Sequence, residues 1–130
     1  MHKSFLVLAA LSGAVSVGLG AFGAHGLKKI LPAEAILTFE TGVRYQFYHS
    51  FALMAVAMLF DKIPAKFLFW SGTCFITGIV LFSGSLYALA FIQDTGAVGL
   101  RKLGIVTPFG GLFFIAGWLL LALAAWKNSG

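Results

Sequence analysis

Four windows of the chain contain no Lys, Arg, Asp or Glu: residues 4–27, 45–60, 67–93 and 103–126, which are 24, 16, 27 and 24 residues long. A helix that crosses the roughly 30 Å hydrocarbon core of a bilayer needs about 20 mainly apolar residues. Three windows reach that length alone, and the second does so by borrowing residues from the segment before it. This patterning predicts one domain, residues 1–130, that is all-α and forms a four-transmembrane-helix bundle. Charged residues make up only 10% of the chain, against roughly 25% in a soluble domain.

The charges that remain also exclude some functions. A net charge of +5 can mark a nucleic-acid binder. Here the basic residues are scattered through short connections, with no cluster of cations and aromatics to form a groove, so no nucleic acid is expected. Cations at helix ends meet headgroups instead, which makes membrane lipids the expected partners. Lys3 ahead of an apolar run imitates a secretory signal, but the run is too long for a signal core and reads as a retained first helix. The single Cys74 allows no intramolecular disulfide.

The expected helices are 4–24, 33–60, 65–92 and 107–126. An even number of spans places both termini on one face, with the turn "DKIPAK"; the other face carries "HGLKKILPAEA" and "QDTGAVGLRK". The first face holds Lys3, Lys62, Lys66 and Lys127, and the second Lys28, Lys29, Arg101 and Lys102, with Arg44 nearby. That balance is too even for the positive-inside rule to set an orientation. Glu34, Glu40 and Asp94 offset the second face and tilt the reading slightly toward termini inside.

Packing signals are concentrated in the first helix. Ser12, Ser16, Gly20 and Ala24 recur every four residues, and rows of small residues let helix backbones approach closely in lipid. Gly84 with Ala88, and Gly110 with Gly111 and Gly117, repeat the pattern in the third and fourth helices. Pro32 is expected at the first position of the second helix, with Glu34 complementing its dipole. At about 1.5 Å per residue that helix exceeds the core thickness, so its first turns should form an interfacial extension, with Gly42 as a bend.

The second helix also holds the stretch "ETGVRYQFYHSFALM", in which polar groups lead into apolar sequence. Glu40, Arg44 and Tyr48 form one helical row, ordered for a Glu–Arg ion pair, and Thr41, Tyr45 and His49 form the next. Gln46 and Ser50 pair on another face. At the same depth other helices bring His25, Ser83, Ser85, Tyr87 and Thr107, so polar groups converge on one leaflet. The simplest reading is hydrogen bonding between helices. Functional readings are a headgroup or amphiphile site built on Arg44, Tyr45 and His49, and a small proton-linked transporter using Glu40 and His49. Metal or haem binding through His25 and His49 lacks a ligand spacing. Hydrolysis through Ser85 and His49 lacks a nucleophile motif. No metal, cofactor or catalytic residue is expected.

Four ordered motifs carry a family resemblance: "GAFGAHGLKK", "ETGVRYQFYHSFALM", "FSGSLYAL" and "LGIVTPFGGLFFIAGW". Together they resemble the domain of unknown function 423 membrane family, which is related to eukaryotic transmembrane protein 256. The resemblance covers nearly the whole chain and implies a small four-helix integral membrane protein, with no settled activity, substrate or cofactor. Its motifs fall on Gly23, Ala24, His25 and Gly26; on Tyr45, Gln46, Tyr48 and His49; on Gly84, Ser85, Leu86 and Tyr87; and on Thr107, Pro108, Gly110 and Gly111. A small multidrug exporter has similar size but needs an acidic residue in its first helix, which this chain lacks. The expected role is non-enzymatic: an amphiphile-binding or interaction protein, or an accessory subunit. The expected assembly is a homo-oligomer or larger complex, and the expected location is a bacterial inner membrane.

Overall fold

The structure, a computed structural model, describes residues 1–95 and 98–128. Among these residues all regular structure is helical. Helix α1 spans Lys3–His25, α2 Ala33–Leu59, α3 Ala65–Gly78, α4 Gly84–Thr95 and α5 Val106–Asn128. A π-helical turn, Ile79–Ser83, joins α3 to α4 in one rod, and short 3₁₀ segments occupy Leu27–Lys29 and Val98–Ile105. The side chains of Asp94 and Arg101, two of the charges assigned to the second face, lie outside the described residues.

Helix ends follow local chemistry. The His2 ring caps α1, its Nδ1 accepting from the Phe5 N–H at 3.1 Å while the two rings stack at 3.9 Å. Pro32 is the cap of α2 in extended conformation and precedes the first helical residue, one position earlier than expected. Pro64 plays the same part for α3. Helix α2 runs unbroken through Gly42, whose absent side chain admits the ring of Tyr87, which a Cβ there would approach to 2.7 Å.

Helices α1 and α2 form an antiparallel hairpin along their full length. The His2 N–H donates to the Ala57 carbonyl at 2.9 Å, and the Met1 ammonium pairs with Asp61. At the other end Phe39 packs on Gly23. Helix α2 also packs on the α3–α4 rod, which carries α5 along its length, so α2 and the rod form the centre of the bundle.

Two apolar cores result. One gathers Phe5, Leu53, Val56, Leu68, Phe75 and Phe114 near the termini; the other gathers Leu27, Leu31, Ala35, Phe39 and Ala90 at the far end. Along α2 the stretch between them contributes buried Gly42, Gln46, His49 and Ser50. The outer surface is apolar instead, with Leu11, Val17, Phe51, Met58, Leu112 and Leu119 all exposed. A patch of that extent is a liability in water and a contact surface in lipid. Three helices are long and apolar enough to cross a membrane: Lys3–Lys29, the rod Ala65–Ile92, and Lys102–Asn128. Helix α2, with Glu34, Glu40 and Arg44 in its first half, does not reach that apolarity.

The small-residue row drifts off its target. Ser16 is buried, and a Cβ on Gly20 would stand 3.5 Å from Val43, so both face α2. By Ala24 the contact has passed to Gly23, where a Cβ would come within 3.2 Å of Phe39. Each step of four residues overshoots a full turn by about 40°, and three steps carry the row roughly 120° around the helix. Gly84 needs correction as well: it is exposed, and a Cβ there would meet nothing within 4 Å. The π turn inserts an extra residue per turn just before it, which rotates the downstream face.

Candidate functional site

The residues expected in one polar cluster separate into three arrangements and a remainder. The first joins α1, α2 and α4 through Gln46, whose Nε2 donates to the Ser12 carbonyl at 3.1 Å. Its Oε1 accepts from the Tyr87 hydroxyl at 2.5 Å. Ser50 donates to the Gln46 carbonyl at 2.7 Å, and its oxygen lies 2.7 Å from the Ser12 hydroxyl. One turn away Ser83 donates to the Gly42 carbonyl at 2.6 Å. Gln46, Ser50 and Ser83 are buried, and every polar atom in this layer has a protein partner. That is the state a buried network must reach to stabilise a fold.

The second arrangement is a clasp between α4 and α5. The hydroxyls of Ser85 and Thr107 lie 2.5 Å apart, with Ser85 also bonded to the Phe82 carbonyl at 2.9 Å. Just beyond Thr107, Gly110 lets α5 press onto the π turn, since a Cβ there would sit 2.4 Å from the Phe82 backbone nitrogen. Gly111, also expected as a packing residue, is different: its Cβ would come no nearer than 3.9 Å to Phe82.

The third arrangement is a groove of about 670 Å³ where α2 and α5 splay apart over the π turn. Tyr45, Tyr48 and His49 line one side, Pro108, Gly111, Leu112, Ile115 and Trp118 the other, and Phe82 and Phe114 also border it. His49 is only 5% exposed and stacks on Phe114 at 3.6 Å with the rings 9° from parallel. The Trp118 indole N–H donates to His49 Nε2 at 3.1 Å, while Nδ1 lies 2.7 Å from the Tyr45 carbonyl. An indole only donates, so Nε2 is an acceptor and the ring is neutral with its proton on Nδ1. Among the described residues no hydrogen bond reaches the hydroxyls of Tyr45 and Tyr48, whose rings lie 5.8 Å apart.

The remaining candidates join none of these. His25 and Arg44 are exposed and Glu40 is half-buried. The expected Glu40–Arg44 ion pair does not form; among the described residues the one ion pair joins Met1 to Asp61. Arg44 lies with Ser16, Val43 and Phe47 on the α1 side of α2; it neighbours Tyr48, which borders both spaces, but does not line the groove beside Tyr45 and His49. Five residues separate Arg44 from His49, which turns them about 140° apart on a helix. Among the described residues no three of His, Cys, Asp or Glu gather as a metal site would need.

Sequence reasoning missed Trp118 and Ser71, whose hydroxyl donates to the Gly117 carbonyl at 2.7 Å. The signal for Trp118 was its depth: an indole in the interior of a span, rather than at the interface, requires an acceptor.

An apolar exterior, a satisfied polar interior and long apolar helices define a small helical membrane protein with several spans. Comparison with known proteins gives the family. The chain belongs to the DUF423 family, described as a protein of unknown function, whose pattern matches residues 19–111. It is 45% identical to a UPF0382 membrane protein of Haemophilus influenzae over 130 residues, covering 98% of both chains. It is 42% identical to the UPF0382 membrane protein YwdK of Bacillus subtilis, over 96% of this chain and 98% of that one. The UPF0382 inner membrane protein YgdD of Escherichia coli is 41% identical, over 95% of this chain and 89% of its own. No solved structure matches.

Proposed function

We propose that this chain is a non-enzymatic, four-span amphiphile-binding protein of the bacterial inner membrane, holding its ligand in the α2–α5 groove. The groove carries the reading. Ligand sites are typically concave, about 300–1,000 Å³, mainly apolar and aromatic, with a few placed polar groups. A space of about 670 Å³ bordered by six aromatic rings, His49 included, and two uncommitted tyrosine hydroxyls matches that description.

Support for a fourth span comes from the hairpin geometry. Because His2 meets Ala57 while Gly23 meets Phe39, α2 retraces whatever path α1 takes. The polar residues of α2 suit lipid, since Gln46, His49 and Ser50 turn inward while Tyr48, Phe51 and Met58 turn outward. The name of the Escherichia coli relative supports the inner membrane. The proton-linked alternative loses ground because both nitrogens of His49 are engaged and Glu40 is remote from the groove lining.

The test is mass spectrometry of lipid retained through purification in mild detergent. Ile115→Phe fills the groove from its exposed wall. The parent should carry an enriched amphiphile that the variant loses, and equal lipid in both proteins would refute the assignment.

A further inference from the structure

The lining of the α2–α5 groove also bears on what kind of amphiphile it holds. Every side chain that lines it is uncharged; Arg44, the nearest cation in sequence, stays outside the lining, one turn before Tyr48. An anionic head drawn into the groove would lose water without gaining a counter-charge, which is costly in an apolar setting. His49 spends its ring N–H on the Tyr45 carbonyl, and Trp118 spends its own on His49 Nε2. The hydroxyls of Tyr45 and Tyr48 are left as the available polar groups, and both can donate. The matching head therefore carries acceptors and no charge.

Shape adds a second constraint. Phe114 lies flat on His49, and Phe82 is 4.9 Å from Tyr45, so flat aromatic surfaces border the space. The facing wall is low at Gly111, where helix packing does not require glycine because a Cβ would have room. The missing side chain widens the groove instead. A planar ring can enter such a slot in offset contact with its aromatic faces.

We propose that the groove binds a neutral, ring-headed prenyl lipid of the quinone class, its ring oxygens accepting from Tyr45 and Tyr48 and its tail running along Leu112 and Ile115. This rests on the amphiphile-binding reading and narrows its ligand. Charge complementarity distinguishes this occupant from an anionic phospholipid, because the groove offers donors without a cation.

Trp118 makes the test direct. A Trp70→Phe/Trp126→Phe protein retains Trp118 as its only indole and is placed in phosphatidylcholine nanodiscs. Titration with a decyl-benzoquinone should quench its fluorescence saturably. Tyr45→Phe/Tyr48→Phe should weaken the apparent affinity about tenfold, as loss of two hydrogen bonds implies. Gly111→Phe should abolish saturation, and Ile115→Phe provides the same block if that variant does not fold. Quinone quenching that is linear and unchanged by either block overturns the proposal. Saturable, blockable quenching by brominated phosphatidylglycerol without competition from the quinone also overturns it, yet leaves an amphiphile site standing. If no probe responds to the block, both readings fall.

Discussion

Ser83 and Gly42 join the rod to α2: the serine hydroxyl donates to the glycine carbonyl at 2.6 Å. The same glycine has no side chain to block Tyr87, which a Cβ would approach to 2.7 Å. Two effects of different size are therefore separable. Gly42→Ala should destabilise the bundle by about 1–3 kcal/mol, the usual cost of overpacking. Ser83→Ala should cost only about 0.6 kcal/mol, as interhelical hydrogen bonds in membranes average. Thermal unfolding in detergent ranks them, and a larger loss at Ser83 would reverse this assignment.

Adjacent glycines on α5 give a sharper contrast. A Cβ on Gly110 would meet the Phe82 backbone at 2.4 Å, whereas on Gly111 it would have 3.9 Å to the nearest atom. Gly110→Ala should unfold or loosen the bundle, because backbone cannot move aside as a side chain can. Gly111→Ala should be neutral or stabilising by up to about 1 kcal/mol, the helix preference for alanine over glycine. Size-exclusion profiles and melting temperatures of the two variants check this, and similar behaviour would argue against the α5–π-turn contact.

The Gln46 layer should behave as a unit. Gln46→Leu removes the partner of Tyr87 and one partner of Ser12 together. Each buried group left unsatisfied costs about 1–3 kcal/mol. Tyr87→Phe alone should cost less, and adding it to Gln46→Leu should recover part of the loss, because no orphaned hydroxyl then remains on α4. A double-mutant cycle on unfolding free energies reads the coupling. Strict additivity would show that the two side chains act independently.

These results separate what a one-dimensional pattern records from what it omits. The expected helices 4–24 and 107–126 lie within two residues of the observed ends of α1 and α5, because lipid solubility is a property of composition. The polar stretch of α2 was legible as well, and Gln46 and His49 are buried between the residues that α2 gives to the two cores. Azimuth was not legible. Arg44 does not line the groove that His49 borders, and Ala24 rotates off the face that Ser16 occupies. The π turn leaves no mark in composition, yet it sets the rotation that exposes Gly84 and buries Ser85. The splay that opens the groove depends on how α5 rests on that turn, a relation between helices far apart in sequence.

Glu40 and Arg44 now support a prediction opposite to the one their spacing invites. With Arg44 exposed and no ion pair formed, neither charge compensates the other. Glu40→Gln, Arg44→Met and the double variant should all melt within about 1 kcal/mol of the parent, and the effects should add. Recovery of stability in the double variant would reveal a pair formed in the membrane environment.

The fourth span can be tested through the ends of α2. Lys28 precedes this helix and Lys62 follows it. If α2 crosses the bilayer, the two positions lie on opposite faces; if it rests in the interface, they share one. Cysteines placed singly at each position, in a Cys74→Ser background, report the difference through a membrane-impermeant maleimide added to intact and to permeabilised spheroplasts. One position should label before permeabilisation and the other only afterwards. The hairpin contact of His2 with Ala57 requires this result whenever α1 spans, because the start of α1 and the end of α2 must share a face. Mixed insertion of the whole protein, which the even Lys/Arg balance permits, would label both positions partially in intact cells. Two extra lysines in the 61–66 turn should then resolve the mixture, driving position 62 to the cytoplasmic side and position 28 to the outer side. Equal labelling of both positions that persists in the lysine-enriched protein would place α2 in the interface and remove the fourth span.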